Sequence, residues 1–108
     1  MNNKLNWNIY TSKDRIYAID VIKKNISSSD GYIISSNFFS DIALSLTLEI
    51  EERNIEKLHN AISSEMNISE LEENKFDHDS EKEWWVFVNI TFSKGTGDLE
   101  ISIPEVPG

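Results

Sequence analysis

Hydrophobic and polar residues alternate most strictly over residues 42–50, where large aliphatic side chains occupy every second position. Because successive side chains of a β-strand point to opposite faces, this segment predicts a strand with one apolar and one polar face. The apolar spacing then lengthens to three or four residues, which predicts a helix over residues 52–66. The apolar positions of that helix are Ile55, Leu58, Ile62 and Met66. The change of period indicates a sheet packed against a helix.

The same reading predicts one more helix and four more strands. The helix begins at a cap formed by Thr11 or Ser12. Its expected buried stripe consists of Ile16, Ile19, Ile22 and Ile26. The strands are predicted at residues 5–9, 32–34, 83–92 and 98–103, with a glycine-containing turn at 94–97, a connection at 37–41 and no clear pattern at 67–83.

This order of elements predicts the fold class. A chain of 108 residues is long enough for one modest core, so we expect a single α+β domain over residues 1–108. The order strand, helix, strand, strand, helix, strand, strand places two helices on one face of an antiparallel sheet. It predicts a ferredoxin-like arrangement with an extra C-terminal hairpin strand.

Two segments carry a resemblance to other proteins. Residues 39–45 read FSDIALS, and residues 97–108 read GDLEISIPEVPG. Together they resemble small bacterial proteins that end in a similar GDL…P-x-VPG tail. The resemblance implies a shared domain family, and it carries no catalytic residue, cofactor or partner across to this chain.

Charge is distributed unevenly along the chain. Residues 1–50 contain five basic and five acidic residues, whereas residues 51–108 contain five basic and fourteen acidic ones, so the second part carries the whole net charge of −9. Such a surface repels phosphate and anionic lipid, which argues against nucleic acid and membrane partners. It favours a basic protein partner, although a solvated acidic loop explains the same pattern. The candidate partner-binding carboxylates are Glu70, Glu72, Glu73, Asp77 and Asp79.

Residues that could carry chemistry are few. The chain has no cysteine and two histidines. His59 is expected to be partly exposed on its helix, without a fixed partner for catalysis. His78 is flanked by Asp77 and Asp79, which would point away from it in an extended chain, so convergent metal ligands are not expected. The sequence therefore predicts no enzyme, no cofactor and no metal site.

Aromatic residues supply the other candidate contacts. Trp84 and Trp85 are neighbours in a predicted strand, so one ring faces the core and the other, with Phe87, faces away from it. Exposed aromatic rings are favoured anchors at protein interfaces. Phe38 and Phe39 form a second candidate patch. A covering loop or a second copy of the chain would explain the same rings.

Together these features predict a small acidic protein-binding module, such as an immunity or inhibitor protein that neutralises a basic bacterial toxin. The alternative is a homodimeric structural or regulatory domain. The N-terminal residues lack the long apolar run of a signal peptide, and no segment approaches membrane-spanning length, so a cytoplasmic location is expected.

Overall fold

The structure is a computed structural model that describes residues 3–71 and 75–93. In chain order the elements are β1 (Lys4–Thr11), α1 (Arg15–Ser28), β2 (Tyr32–Ser40), β3 (Ala43–Glu51), a 3-10 turn (Glu52–Asn54), α2 (Ile55–Ser63), β4 (Asn67–Ile68) and β5 (Glu83–Phe92). The predicted C-terminal turn and strand, at residues 94–103, lie outside the described residues, as does the whole of the tail at residues 97–108 that carries the resemblance.

The five strands form one mixed sheet in the order β2-β3-β5-β1-β4. β1 pairs with β5 in parallel, and every other neighbouring pair is antiparallel. The prediction of an antiparallel, ferredoxin-like sheet is therefore wrong. In a ferredoxin-like fold, the two strands that a helix connects have one other strand between them in the sheet. Here α1 connects β1 to β2, and two strands, β3 and β5, lie between them. Alternation along a strand determines its two faces but does not determine its neighbours.

Both helices pack on the same face of this sheet. Leu46 on β3 lies opposite Val88 on β5, which lies opposite Trp7 on β1, and all three side chains are buried. Among the residues expected to face the core, Ile42 is 46% exposed and Ile19 is only half-buried. The residues that both the pattern and the structure place in the core include Trp7, Ile22, Leu44, Leu46, Leu48, Leu58, Ile62, Val86 and Val88.

Helix α1 begins later than predicted and buries only part of the predicted stripe. Its N-cap is Asp14, whose carboxylate accepts hydrogen bonds from the backbone N–H groups of Ile16 at 3.1 Å and Tyr17 at 3.2 Å. Ile16, which was expected in the stripe, is 75% exposed. The buried stripe consists of Ala18, Ile22 and Ile26.

The two edges of the sheet differ in the described residues. At one edge, β4 pairs with β1, and Ser69 continues along β1 by donating its N–H to the Asn8 carbonyl at 2.8 Å. At the other edge, β2 extends over nine residues instead of the predicted three, and all nine are exposed. Phe38 and Phe39 therefore belong to a strand and not to a connection.

Candidate functional site

The face of the sheet opposite the helices carries the outward side chains of β1, β2, β3 and β5, and we call it the open face. The register that buries Trp84 at the core places Trp85 on this face, where it is 42% exposed. Phe87 lies two residues further along β5 and is half-buried. Their rings meet edge to face, with centroids 6.3 Å apart. An aromatic pair of this geometry is a rigid apolar platform.

A line of side chains crosses the open face at the position of Trp85. Lys4 lies beside Trp85 on β1, and Glu49 lies opposite it on β3. Tyr32 lies opposite Glu49 on β2 and is 70% exposed. The line therefore presents two aromatic rings with a carboxylate between them and an ammonium group at one end.

Along β5 from Trp85 toward Asn89, the flanking residues of the open face are polar and uncharged. Phe87 lies between Asn6 and Thr47, and Asn89 lies between Asn8 and Ser45. Amide and hydroxyl side chains around tryptophan and tyrosine also characterise antibody binding loops, where the rings supply contact area and the polar groups supply adaptable hydrogen bonds.

Three carboxylates gather at the end of the open face next to Trp85. Glu51 lies directly opposite Glu83, and Glu49 belongs to the next outward position along β3. Partial desolvation, and then the charges of Glu49 and Glu51, raise the pKa of the Glu83 carboxyl above its ordinary value of 4.5. Part of the charge is compensated, because the Arg53 Nε donates to Glu51 Oε1 at 2.7 Å.

The structure separates the two predicted aromatic patches. Phe38 lies opposite Leu44 and therefore on the helix side of the sheet, where the Arg15 guanidinium stands 5.0 Å from the ring centroid. Phe39 lies at a register break of the edge strand and is 72% exposed. Neither ring joins Trp85 and Phe87 on the open face.

Two of the predicted acidic residues, Asp77 and Asp79, lie next to the 3-10 turn that precedes α2 and not on the open face. Asp77 donates its backbone N–H to Glu52 Oε2 at 3.0 Å, and the Asp77 carboxylate accepts from the N–H of Asp79 at 2.9 Å. Glu70 lines a cavity of about 240 Å³ beside β1. Glu72 and Glu73 lie outside the described residues.

His59 is buried and not partly exposed as predicted. It is 9% exposed, its Nε2 lies 2.7 Å from the Ser69 carbonyl oxygen, and its ring packs edge-on against Trp7 at 5.2 Å. The sequence pattern did not predict the burial of His59, because the segment after β4 that contains Ser69 has no regular periodicity.

His78 is exposed and forms a hydrogen bond with Glu56, its Nε2 lying 2.6 Å from Glu56 Oε1. Within residues 3–71 and 75–93, no group of three histidine or carboxylate side chains converges on a common point where a metal ion could bind. Neither helix in that part of the chain has the length and apolar character to cross a membrane.

Glu49 and Glu51 on β3, like Glu83 on β5, are carboxylates of this face that were absent from the predicted site. Both alternate with the buried Leu48 and Ile50, so the period of two already placed them on the outward side of β3. Their position next to Trp85 depends on the pairing of β3 with β5, which the pattern does not contain.

The chain matches no protein-family model, no curated protein and no solved structure. A functional conclusion therefore depends on the geometry of the open face.

Proposed function

We propose that this chain is a small protein-binding module that holds a basic protein on the open face of its sheet. One observation carries the proposal: the exposed Trp85 ring stacks edge-to-face with Phe87 and has Glu49 directly opposite it. An inhibitor or immunity protein that neutralises a basic toxin is the specific form of this role. The proposal contains no catalytic step.

Aromatic residues that are held on strands suit a recognition surface. The backbone of β5 is hydrogen-bonded to neighbours on both sides, so Trp85 and Phe87 keep their positions before a partner arrives. Preorganised rings lose little conformational entropy on binding, and tryptophan is enriched among residues that dominate binding energy.

The adjoining carboxylates favour a basic partner. Glu49, Glu51 and Glu83 repel one another, and a partner arginine or lysine placed among them would relieve that repulsion. A guanidinium group can also stack on the Trp85 ring while it pairs with a carboxylate. The net charge of −9 adds a long-range attraction for a cationic protein.

Affinity capture with matched variants tests the proposal. The immobilised wild-type chain should retain a basic protein from a lysate of its own host, and the purified partner should then bind in a calorimeter with a saturable stoichiometry. Trp85→Ala should weaken that binding by at least about thirtyfold, the effect of losing an anchor worth about 2 kcal/mol or more. Ile16→Ala is the control, because Ile16 is a large exposed residue on α1, away from the open face.

Two results would contradict the proposal. One is a purified partner that binds Trp85→Ala and the wild-type chain equally well. The other is a partner with net negative charge. The inhibitor role has its own test, since co-expression with the product of an adjacent gene should rescue growth if that product is the toxin, and the rescue should be lost with Trp85→Ala.

A further inference from the structure

The edge strand β2 is unusual in having no charged residue. Its nine residues, Tyr32–Ser40, read YIISSNFFS, and each is exposed. In the part of the chain that the structure describes, β2 pairs with β3 on one side only. The N–H and C=O groups along its outer side are therefore available to another strand.

Natural proteins normally protect such an edge with charged residues, proline, a β-bulge or a covering segment. β1 is covered by β4 and by Ser69, which hydrogen-bond along its outer side. β2 contains neither a charged residue nor a proline. Its register with β3 breaks at Ile34 and again at Phe39, and it is regular over the four residues between these breaks. The centre of the strand therefore keeps the geometry that a further strand needs.

The sequence of β2 is complementary to itself. Three polar residues, at positions 35–37, lie between apolar residues on both sides. If two copies pair antiparallel about Ser36, Ser35 lies opposite Asn37 of the second copy within the regular segment. The apolar residues on either side, which include the register breaks at Ile34 and Phe39, then meet the apolar residues of the second copy. Two-fold pairing of this kind makes each contact twice, as symmetric dimers require.

We infer that two copies of this chain form a homodimer by antiparallel pairing of β2 about Ser36, which joins two five-stranded sheets into one. The strand itself adds no charge repulsion at this edge, because β2 has no charged residue and residues 1–50, which contain it, have equal numbers of basic and acidic residues. Two chains with a net charge of −9 thus meet at an uncharged strand, with the acidic residues 51–108 outside the pairing.

The exposed area is sufficient for a small stable interface. Tyr32, Phe38 and Phe39 are 70%, 55% and 72% exposed. With about 200 Å² for each aromatic residue, they offer roughly 400 Å² per copy. The two isoleucines and the backbone edge bring the total for two copies close to the roughly 1,000 Å² that a specific interface needs.

Mass measurement with charged variants tests the inference. Light scattering on the wild-type chain should give twice the 12.4 kDa of one chain, and the double variant Ile34→Lys, Phe39→Lys should give the mass of one chain. Both positions are exposed, so the variant should keep its circular dichroism spectrum. The matched control Ile16→Lys should remain dimeric. A wild-type monomer at all concentrations would overturn the inference and leave the edge to a strand of another protein.

A disulfide test examines the register directly. The chain contains no cysteine, so a single Ser36→Cys substitution introduces the only thiol. Residues directly opposite in an antiparallel pair have Cα atoms about 4.5–5.5 Å apart, within the range that a disulfide spans. Ser36→Cys should therefore oxidise to a covalent dimer, whereas Ser40→Cys should not, because its two copies would be about 27 Å apart along the strands.

Equal cross-linking of the two cysteine variants would contradict the register. A dimer that persists in the lysine variant but dissociates with Trp85→Ala would show that the open face, and not β2, holds two copies together. The inference is independent of the proposed function, because loss of the dimer in the β2 variant leaves Trp85 and the carboxylates available to a basic partner.

Discussion

Glu83 and Glu51 lie directly opposite each other across β5 and β3, at the end of the open face. Like charges at directly opposed positions destabilise a strand pair. Partial desolvation of Glu83, followed by the charges of Glu49 and Glu51, raises the pKa of its carboxyl group above 4.5. The sheet therefore tolerates an unfavourable contact at the place where a cationic partner would be stabilised.

The first prediction is that Glu83→Gln raises the free energy of unfolding at pH 7. A carboxyl group whose pKa is higher in the folded state than in the unfolded state binds more protons when folded, so its ionisation destabilises the fold as pH rises. The gain from the amide should be fully present above the raised pKa and should vanish below about pH 4.5. Urea unfolding at a series of pH values measures this difference.

Glu65→Gln is the control for that series, because Glu65 is exposed and follows α2, away from the three carboxylates. It should change stability little at any pH. A Glu83→Gln variant less stable than wild type at pH 7 would mean that the carboxylate makes a favourable contact, and the account of charge repulsion would be wrong.

A second prediction concerns the centre of the core. Leu46 is 2% exposed and lies opposite Val88, so Leu46→Ala should lower the free energy of unfolding by about 2–5 kcal/mol. Thr47→Ala, one position along β3 on the open face, should cost less than about 1 kcal/mol. Equal losses for the two variants would mean that β3 does not present the faces described.

The third prediction is that replacing His59 lowers the free energy of unfolding more than replacing His78 does. His59→Ala removes both the hydrogen bond to the Ser69 carbonyl and the edge-on contact with Trp7, and should cost about 1–3 kcal/mol. His78→Ala removes a mostly exposed hydrogen bond with Glu56 and should cost less than about 1 kcal/mol. Thermal unfolding of both variants provides the measurement. We also expect the folded double variant to bind its partner as the wild type does, and loss of binding there would give a histidine a functional role.

The fourth prediction concerns the rates of partner binding. Replacing Glu49, Glu51 and Glu83 with glutamine should mainly slow association, because charges around an interface steer the encounter. Trp85→Ala should mainly speed dissociation, as loss of a buried anchor does. Surface plasmon resonance with the purified partner gives both rates.

A second set of amides tests where the steering charge lies. Glu70, Asp77 and Asp79, which belong to the segment between β4 and β5, provide the same loss of charge when replaced with their amides. Because screening limits charge effects to about 8 Å at physiological salt, the open-face set should slow association more than this set. Equal effects would favour the acidic residues of that segment as the attracting surface. Rates indifferent to salt and to both sets would make the acidic residues a solubilising surface only.

The sequence alone determined the faces of the long strands. Alternation over residues 42–50 and 83–92 identified the buried side chains of β3 and β5, because a side-chain period of two leaves only two faces and one of them must exclude water. It also placed Trp84 and Trp85 on opposite faces. These properties are local, so they are already contained in the order of residues.

The tertiary structure decided which strands are neighbours, and with that the composition of the open face. β1 lies in parallel beside β5, which no local pattern specifies, because the pairing depends on how the two helices cover one face of the sheet. The pairing of β3 with β5 placed Glu49 opposite Trp85, and the segment that follows β4 buried His59. Contacts between residues far apart in sequence depend on the packing of the whole chain, and periodicity within a short segment does not contain that information.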